Sequence, residues 1–224
     1  FFIYFFVLLF FNKTFSMNFP GICHYHKSFR INFIYFFFIL GLIINSFGVA
    51  FITKSALGTS QISSIPYVLS LKFTNLSFGQ TTFIFNMLFI LIQLLILKKD
   101  FRPIQFLQIA ANILFSSFID VSMTLLTGLN PQTIPLRTLS LLVGCAILAV
   151  GISVEVAPDV IKVPGEGIVH AMARVSGMEF GKVKIRFDVT LIVMATLLSS
   201  LFFRKLNGIG LGTIISAVLV GPMI

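Results

Sequence analysis

The sequence predicts an all-α fold, a polytopic membrane helical bundle of about six spans, on three observations. Of 224 residues, 57% are hydrophobic and only 10% are charged, far below the roughly 25% charged residues of soluble domains. The mean hydropathy is +1.04. Apolar runs near the ~20 residues that cross a hydrocarbon core recur along the chain, separated by connections that carry the Lys and Arg residues. Such a chain cannot cover itself with polar surface, so acyl chains must solvate its exterior and its peptide groups must be satisfied within helices. A barrel would need ~10-residue stretches of alternating polarity, whereas runs such as Thr82 to Leu97 are apolar on nearly all sides.

The first run, Phe1 to Phe11, is too short to span and has neither a basic leading region nor a small-residue cleavage site. Phe, Ile, Lys and Asn dominate residues 1–28, which read as a leader translated from upstream sequence, with Met17 as the candidate start. A single transmembrane domain then covers 29–224. Its first span runs from about Ile31 to Thr53. The connection Lys54 to Gln80 is neither charged like a solvated loop nor long enough to cross twice, so it folds back into the bundle. The second span, about Thr81 to Leu97, stops at Lys98, Lys99 and Asp100. The third, Pro103 to about Leu126, stops at Gly128, Asn130 and Pro131. A fourth covers about Thr138 to Ala157. A second long connection, Pro158 to Lys184, leads to a fifth span, about Ile185 to Phe203. The last run, Leu211 to Ile224, is short, either a half-helix or a span that has lost its end.

The formal charge of +9 does not indicate nucleic acid, because the sixteen Lys and Arg residues form no continuous basic stripe. Their partner is the headgroup layer of the lipid bilayer. Alternate connections carry eleven of them, including Lys98, Lys99, Arg102, Lys162 and Arg174; the opposite set, Lys54, Lys72, Arg137, Arg204 and Lys205, holds five. This bias places the N-terminus in the cytoplasm. Of the two cysteines, Cys145 lies inside an apolar run, so no disulfide framework is indicated. Walker loops, nucleophile elbows, zinc-protease histidine pairs and dinucleotide fingerprints are all missing, so enzyme chemistry has no positive support. No cofactor is expected. Cys23-His24-Tyr25-His26 has metal-ligand residue types but no second cluster, so no metal site is assigned to it.

The two long connections resemble each other. Gly48 precedes Phe78-Gly79-Gln80 and Gly151 precedes Phe180-Gly181-Lys182; Phe85-Asn86 and Phe187-Asp188 each begin seven residues after the corresponding Phe. Each half reads as span, part-apolar connection, span, turn, span, giving repeats of about 31–126 and 138–224. Three spans per half is odd, so the second copy is inverted relative to the first, with part-buried re-entrant connections. Inverted repeats are a recurrent plan of secondary transporters, whose sites form at the repeat interface from broken helices.

Asp120, Glu155 and Asp188 fall within or at the edge of apolar runs, where an ionised acid costs about 2.5 to 3.5 kcal/mol on insertion scales. Each is read either as part of a cation or proton site, as a counter-charge for a basic substrate, or as an interfacial residue, Asp188 pairing with Lys184 or Arg186 in the last case. Asn45, Asn86, Gln93, Gln108 and Asn112 read as hydrogen-bonding glue between helices. Small residues at Gly58-Thr59-Ser60 precede a short apolar helix, Pro66 to about Phe73. Val163-Pro164-Gly165-Glu166-Gly167 precedes its counterpart, Ile168 to Val175. Such segments either approach a ligand closely or serve tight helix crossings. His170 and Arg174 share a face of the second short helix, His170 as a packing residue or a ligand. The candidate substrate-binding set is Gly58, Thr59, Ser60, Gly165, Glu166, His170 and Asp188. The function expected is a small secondary transporter of unread substrate; the alternative is a membrane scaffold supporting a partner enzyme or export system. Oligomeric state is unread.

From about Phe29 to Ile224 the chain resembles the YczE/YyaS/YitT family of bacterial integral membrane proteins, chiefly its YczE-like branch. The resemblance rests on Gly48-Val-Ala-Phe-Ile-Thr-Lys-Ser-Ala-Leu-Gly-Thr-Ser60, Phe78-Gly79-Gln80, Val163-Pro-Gly-Glu-Gly167, Phe180-Gly-Lys-Val-Lys184, Phe187-Asp188 and Gly208-Ile-Gly-Leu-Gly-Thr-Ile-Ile-Ser-Ala217 with Gly221-Pro222. It implies a bacterial cytoplasmic-membrane protein of five to six spans, in a family sometimes labelled permeases and without an assigned activity. Gln61 stands where the family pattern leads one to expect proline.

Overall fold

The computed structural model describes residues 23–101, 103–158 and 161–220, with side chains from Ile34 onward. The leader expectation and the side chains of Cys23-His24-Tyr25-His26 lie outside the described set. The described residues form α-helices joined by turns, without a strand: α1 Cys23–Lys54, α2 Ser64–Lys72, α3 Phe78–Leu97, α4 Leu107–Leu125, α5 Ile134–Val156, α6 Pro164–Ser176, α7 Phe180–Phe203 and α8 Leu211–Val220. Five segments are long and apolar enough to cross a membrane: Ile34–Lys54, Phe78–Asp100, Pro103–Gly128, Ile134–Val156 and Phe180–Phe203. Helices α2 and α6, of 9 and 13 residues, are too short to do so. The sixth apolar run supplies the short helix α8.

Several helices begin earlier than the hydropathy of the sequence suggests, each for a local reason. Ser77 caps α3: its Oγ accepts from Gln80 N while Gln80 Oε1 accepts from Ser77 N, a reciprocal capping box. Asp120, near the end of α4, ties this cap to its neighbour by accepting from Ser77 Oγ at 2.5 Å and Gly79 N at 2.7 Å. The segment around Val163 to Gly167 is not a turn ahead of α6 but contains its first turn, because Pro164 lacks the N–H that a helix start would leave unbonded. Helix α7 starts at Phe180 and takes Lys182 and Lys184 into its first turns.

The core is the antiparallel crossing of α1 and α5. Four glycines allow it. A Cβ on Gly48 would fall 2.6 Å from Leu148 N and one on Gly151 2.4 Å from Asn45 N; Gly41 meets Glu155 at 2.5 Å and Gly144 meets Ile52 at 2.7 Å. Only hydrogen at these positions lets the two backbones approach so closely. Helix α4 packs on α1 and α8 on α5, while α3 packs on α4, α2 and α6, and α7 on α2 and α6.

Polarity is distributed in the reverse of a water-soluble protein. Gln93, Asn112 and Glu155 are 0%, 0% and 2% exposed, whereas Ile134 and Leu201 are 75% and 74% exposed. An apolar exterior of this extent marks a surface built for a non-aqueous neighbour.

Candidate functional site

The two short helices begin next to each other inside the bundle. Helix α2 starts after a turn closed by Ser64 Oγ donating to Gln61 O at 2.6 Å. The carbonyl of Pro164, first residue of α6, accepts from Gln93 Nε2 at 3.2 Å, and Gln93 and Gln108 exchange amide hydrogen bonds of 3.2 and 3.3 Å. A Cβ on Gly167 would lie 2.7 Å from Gln93 Oε1, and Gly165 abuts the side chain of Ile62. The glycines of the α6 start are therefore packing requirements of this junction. From it the two helices run toward opposite ends of the bundle. Lys72, ending α2, lies over the Phe202 ring at the end of α7. Arg174, near the end of α6, is 3.6 Å from Asp100 after α3.

A cavity of about 70 Å³ sits at this junction. Its polar lining comes from α1 (Asn45), the turn before α2 (Ser60, Gln61, Ser63), α3 (Thr82, Asn86), α6 (Glu166) and α7 (Lys184, Asp188), with Gly165 on one wall. Beneath it Asn45 Nδ2 donates to Glu155 Oε2 at 2.7 Å. Asp188 Oδ2 pairs with Lys184 Nζ at 3.3 Å, but Asp188 Oδ1 is buried with no hydrogen-bond partner among the described residues. Asn86 Oδ1 is in the same condition. Asn86 Nδ2 donates to Asn112 Oδ1 at 2.9 Å, and Asn112 Nδ2 donates to Phe83 O at 3.1 Å. This chain fixes the amide so that its oxygen is the end turned from Asn112. Burial pushes the Glu166 carboxyl above the usual carboxylate range; Lys184 and Lys162 pull it back, and Asp188 opposes them.

Of the residues the sequence singled out, Ser60, Gly165, Glu166 and Asp188 line the cavity. Gly58 and Thr59 do not. Gly58, at φ 137°, and Thr59 close the end of the first connection against α8: Thr59 N donates to Thr213 Oγ1 at 3.2 Å, and the Thr59 and Thr53 hydroxyls share a 2.7 Å hydrogen bond. Position 58 tolerates no side chain, since a Cβ would fall 2.4 Å from Thr213 Oγ1. His170 is exposed, stacked on Phe180 at 4.2 Å, and borders a separate surface groove with Gln105 and Arg174. It sits one helical turn beyond Glu166, and α6 leads away from the cavity. Asp188 pairs with Lys184 while its Oδ1 has no partner among the described residues. Asp120 is an end residue that holds a cap.

Asn45, Gln61, Ser63, Thr82, Asn86 and Lys184 also line the cavity, and the sequence reading did not put them in the site. The matched spacing of the two halves contained a signal. Thr82 and Lys184 each stand four residues after Phe78 and Phe180, and Asn86 and Asp188 each stand eight after them.

Fold and site define a class of protein: a bundle of apolar helices around a small cavity, part-lined by polar side chains, where two short helices begin. The chain belongs to a family of unknown function, DUF6198, whose model matches residues 33–224. No curated protein and no solved structure matches it.

Proposed function

We propose that this is a multi-pass membrane protein of the secondary-transporter type, with its solute site in the cavity between α2 and α6 and at the interface of two inverted repeats. One observation carries the reading: the cavity is lined by matched positions of the two halves. Thr82 and Asn86 of α3 stand opposite Lys184 and Asp188 of α7, and Ser63 ahead of α2 matches Gly165 at the start of α6.

The packing supports the same repeat. Exchanging α1 to α4 with α5 to α8 turns the α2·α7 contact into α6·α3, α1·α4 into α5·α8 and α2·α3 into α6·α7, all of which occur. At the central crossing the exchange holds residue by residue. Adding 103 to the contact of Gly48 with Leu148 on the α1 side reproduces that of Gly151 with Asn45, and Gly41 with Glu155 corresponds likewise to Gly144 with Ile52. Irregular backbone and polar groups at such an interface are shielded by protein on every side, the condition under which they are tolerated at membrane depth. The charge bias of the connections favours a cytoplasmic N-terminus, and the YczE/YyaS/YitT resemblance favours a bacterial cytoplasmic membrane.

The test is thermal unfolding of the purified chain against a panel of small metabolites and ions, with uptake of any stabilising solute into proteoliposomes. Stabilisation and uptake that both fall in Glu166→Ala support the transporter reading. A blank panel, with unchanged cellular phenotype in Glu166→Ala and Asp188→Ala, would sink it and leave a scaffold role supporting a partner.

A further inference from the structure

The cavity carries two buried acceptor oxygens that the protein does not satisfy. A buried polar atom left without a partner costs about 1–3 kcal/mol, and native structures contain few of them. Here two occur together, Asn86 Oδ1 and Asp188 Oδ1, on residues of facing helices that line one space. Asn86 is 3% exposed, so bulk water does not serve it. Two neighbours have spent donors elsewhere: Thr82 Oγ1 donates to Phe78 O at 2.8 Å, and Asn86 has committed an amide hydrogen to Asn112.

Charge points the same way. Three carboxyl groups gather here: Glu166 and Asp188 line the cavity, and Glu155 lies beneath it, bonded to Asn45. Asp188 Oδ2 is paired with Lys184, so the carboxylate oxygen left open to the cavity is Oδ1, and a charged donor makes the stronger hydrogen bond to such an oxygen. The missing component is thus a hydrogen donor, and a cationic one suits the carboxylate.

Resting on the transporter reading of this cavity, we propose that its ligand is a small primary ammonium ion, held through N–H bonds to Asn86 Oδ1 and Asp188 Oδ1. An ammonium head offers three N–H donors, enough for both oxygens and for a hydroxyl of the lining. A bare alkali cation brings charge without directed donors and takes a fuller shell of oxygens. Size sets the upper limit. One water needs roughly 10–15 Å³ of such space, so a cavity of about 70 Å³ takes a head group of a few heavy atoms and not a bulky amine.

The experiment is thermal unfolding of the detergent-solubilised full chain in chloride salts of methylammonium, tetramethylammonium and sodium at equal ionic strength, in wild type, Asp188→Asn and Asn86→Leu. Expected is a rise in Tm of roughly 3–6 °C for methylammonium at about tenfold excess over its Kd, with no comparable rise for tetramethylammonium, which has the charge but no N–H. Asp188→Asn, which is isosteric, keeps the fold and loses the rise; Asn86→Leu loses it too. Equal stabilisation by sodium or tetramethylammonium would overturn the donor requirement, and a methylammonium response that survives in Asp188→Asn would overturn the assignment to this cavity. If methylammonium is inert while a neutral or anionic solute stabilises wild type but not Glu166→Ala, the ammonium assignment fails and the transport site stands. If no solute acts, both fall.

Discussion

Asn45 on α1 donates through Nδ2 to Glu155 Oε2 on α5 at 2.7 Å, so the glycine-lined crossing of these two helices is bridged by a hydrogen bond to a carboxyl group 2% exposed. Removing one partner of a buried hydrogen bond leaves the other unmet, at about 1–3 kcal/mol. Asn45→Leu should therefore lower stability by about 2 kcal/mol or more, while Asn45→Leu combined with Glu155→Leu should recover part of that loss. Thermal unfolding in one detergent checks both; an Asn45→Leu protein as stable as wild type would remove this bond from the account.

The glycines of that crossing give a second prediction. Gly48→Ala and Gly151→Ala push a methyl to within 2.6 Å and 2.4 Å of backbone nitrogen on the opposite helix. Overpacking of this kind costs roughly 1–3 kcal/mol, and the backbone atom it meets cannot rotate away. Gly181→Ala is the control, because its Cβ meets nothing within 4 Å near the start of α7, and helix propensity favours Ala by up to about 1 kcal/mol. Yield and Tm of the three variants should separate cleanly, with the first two low and the third unchanged or raised.

Glu166 should make stability fall with pH. Its carboxyl is held above the usual range by burial, so the folded state binds this proton more tightly than the unfolded chain does. The contribution is fully present below the ordinary carboxylate range near about 4.3 and is lost as pH rises through the raised folded value. Glu166→Gln should flatten that part of the profile and narrow its deficit, if any, toward alkaline pH. Melting curves between pH 5 and 9 test this, and parallel profiles for the two proteins would refute it.

Orientation is accessible by labelling. With Cys23→Ser as background and Cys145 buried, a cysteine at exposed Lys99 should react with an impermeant maleimide only after the cytoplasmic side is opened, and one at exposed Gln132 should react in intact cells. The charge bias of the connections requires this order. The reverse pattern would invert the topology without touching the fold.

The sequence by itself determined the fold class and most helix limits. Long apolar runs with Lys98-Lys99-Asp100 and Gly128 to Pro131 as stops leave the backbone no alternative to helix in a non-aqueous medium, and hydropathy registers that one residue at a time. It also contained the matched spacing on which the proposed repeat rests, in Phe78-Gly79 and Phe180-Gly181. What only the tertiary structure decided is which polar residues meet. Asn45, Asn86 and Gln93 are alike in a linear reading as hydrogen-bonding side chains in apolar helices, yet Asn45 braces Glu155, Gln93 anchors the start of α6 and Asn86 leaves an oxygen at the cavity. His170 and Gly58 looked equal to Glu166, but one lies a turn too far along α6 and the other is closed against Thr213. Composition and periodicity fix what solvates a helix face. The partner of a buried amide or carboxylate depends on crossing geometry, and that is set by where glycine allows two backbones to touch.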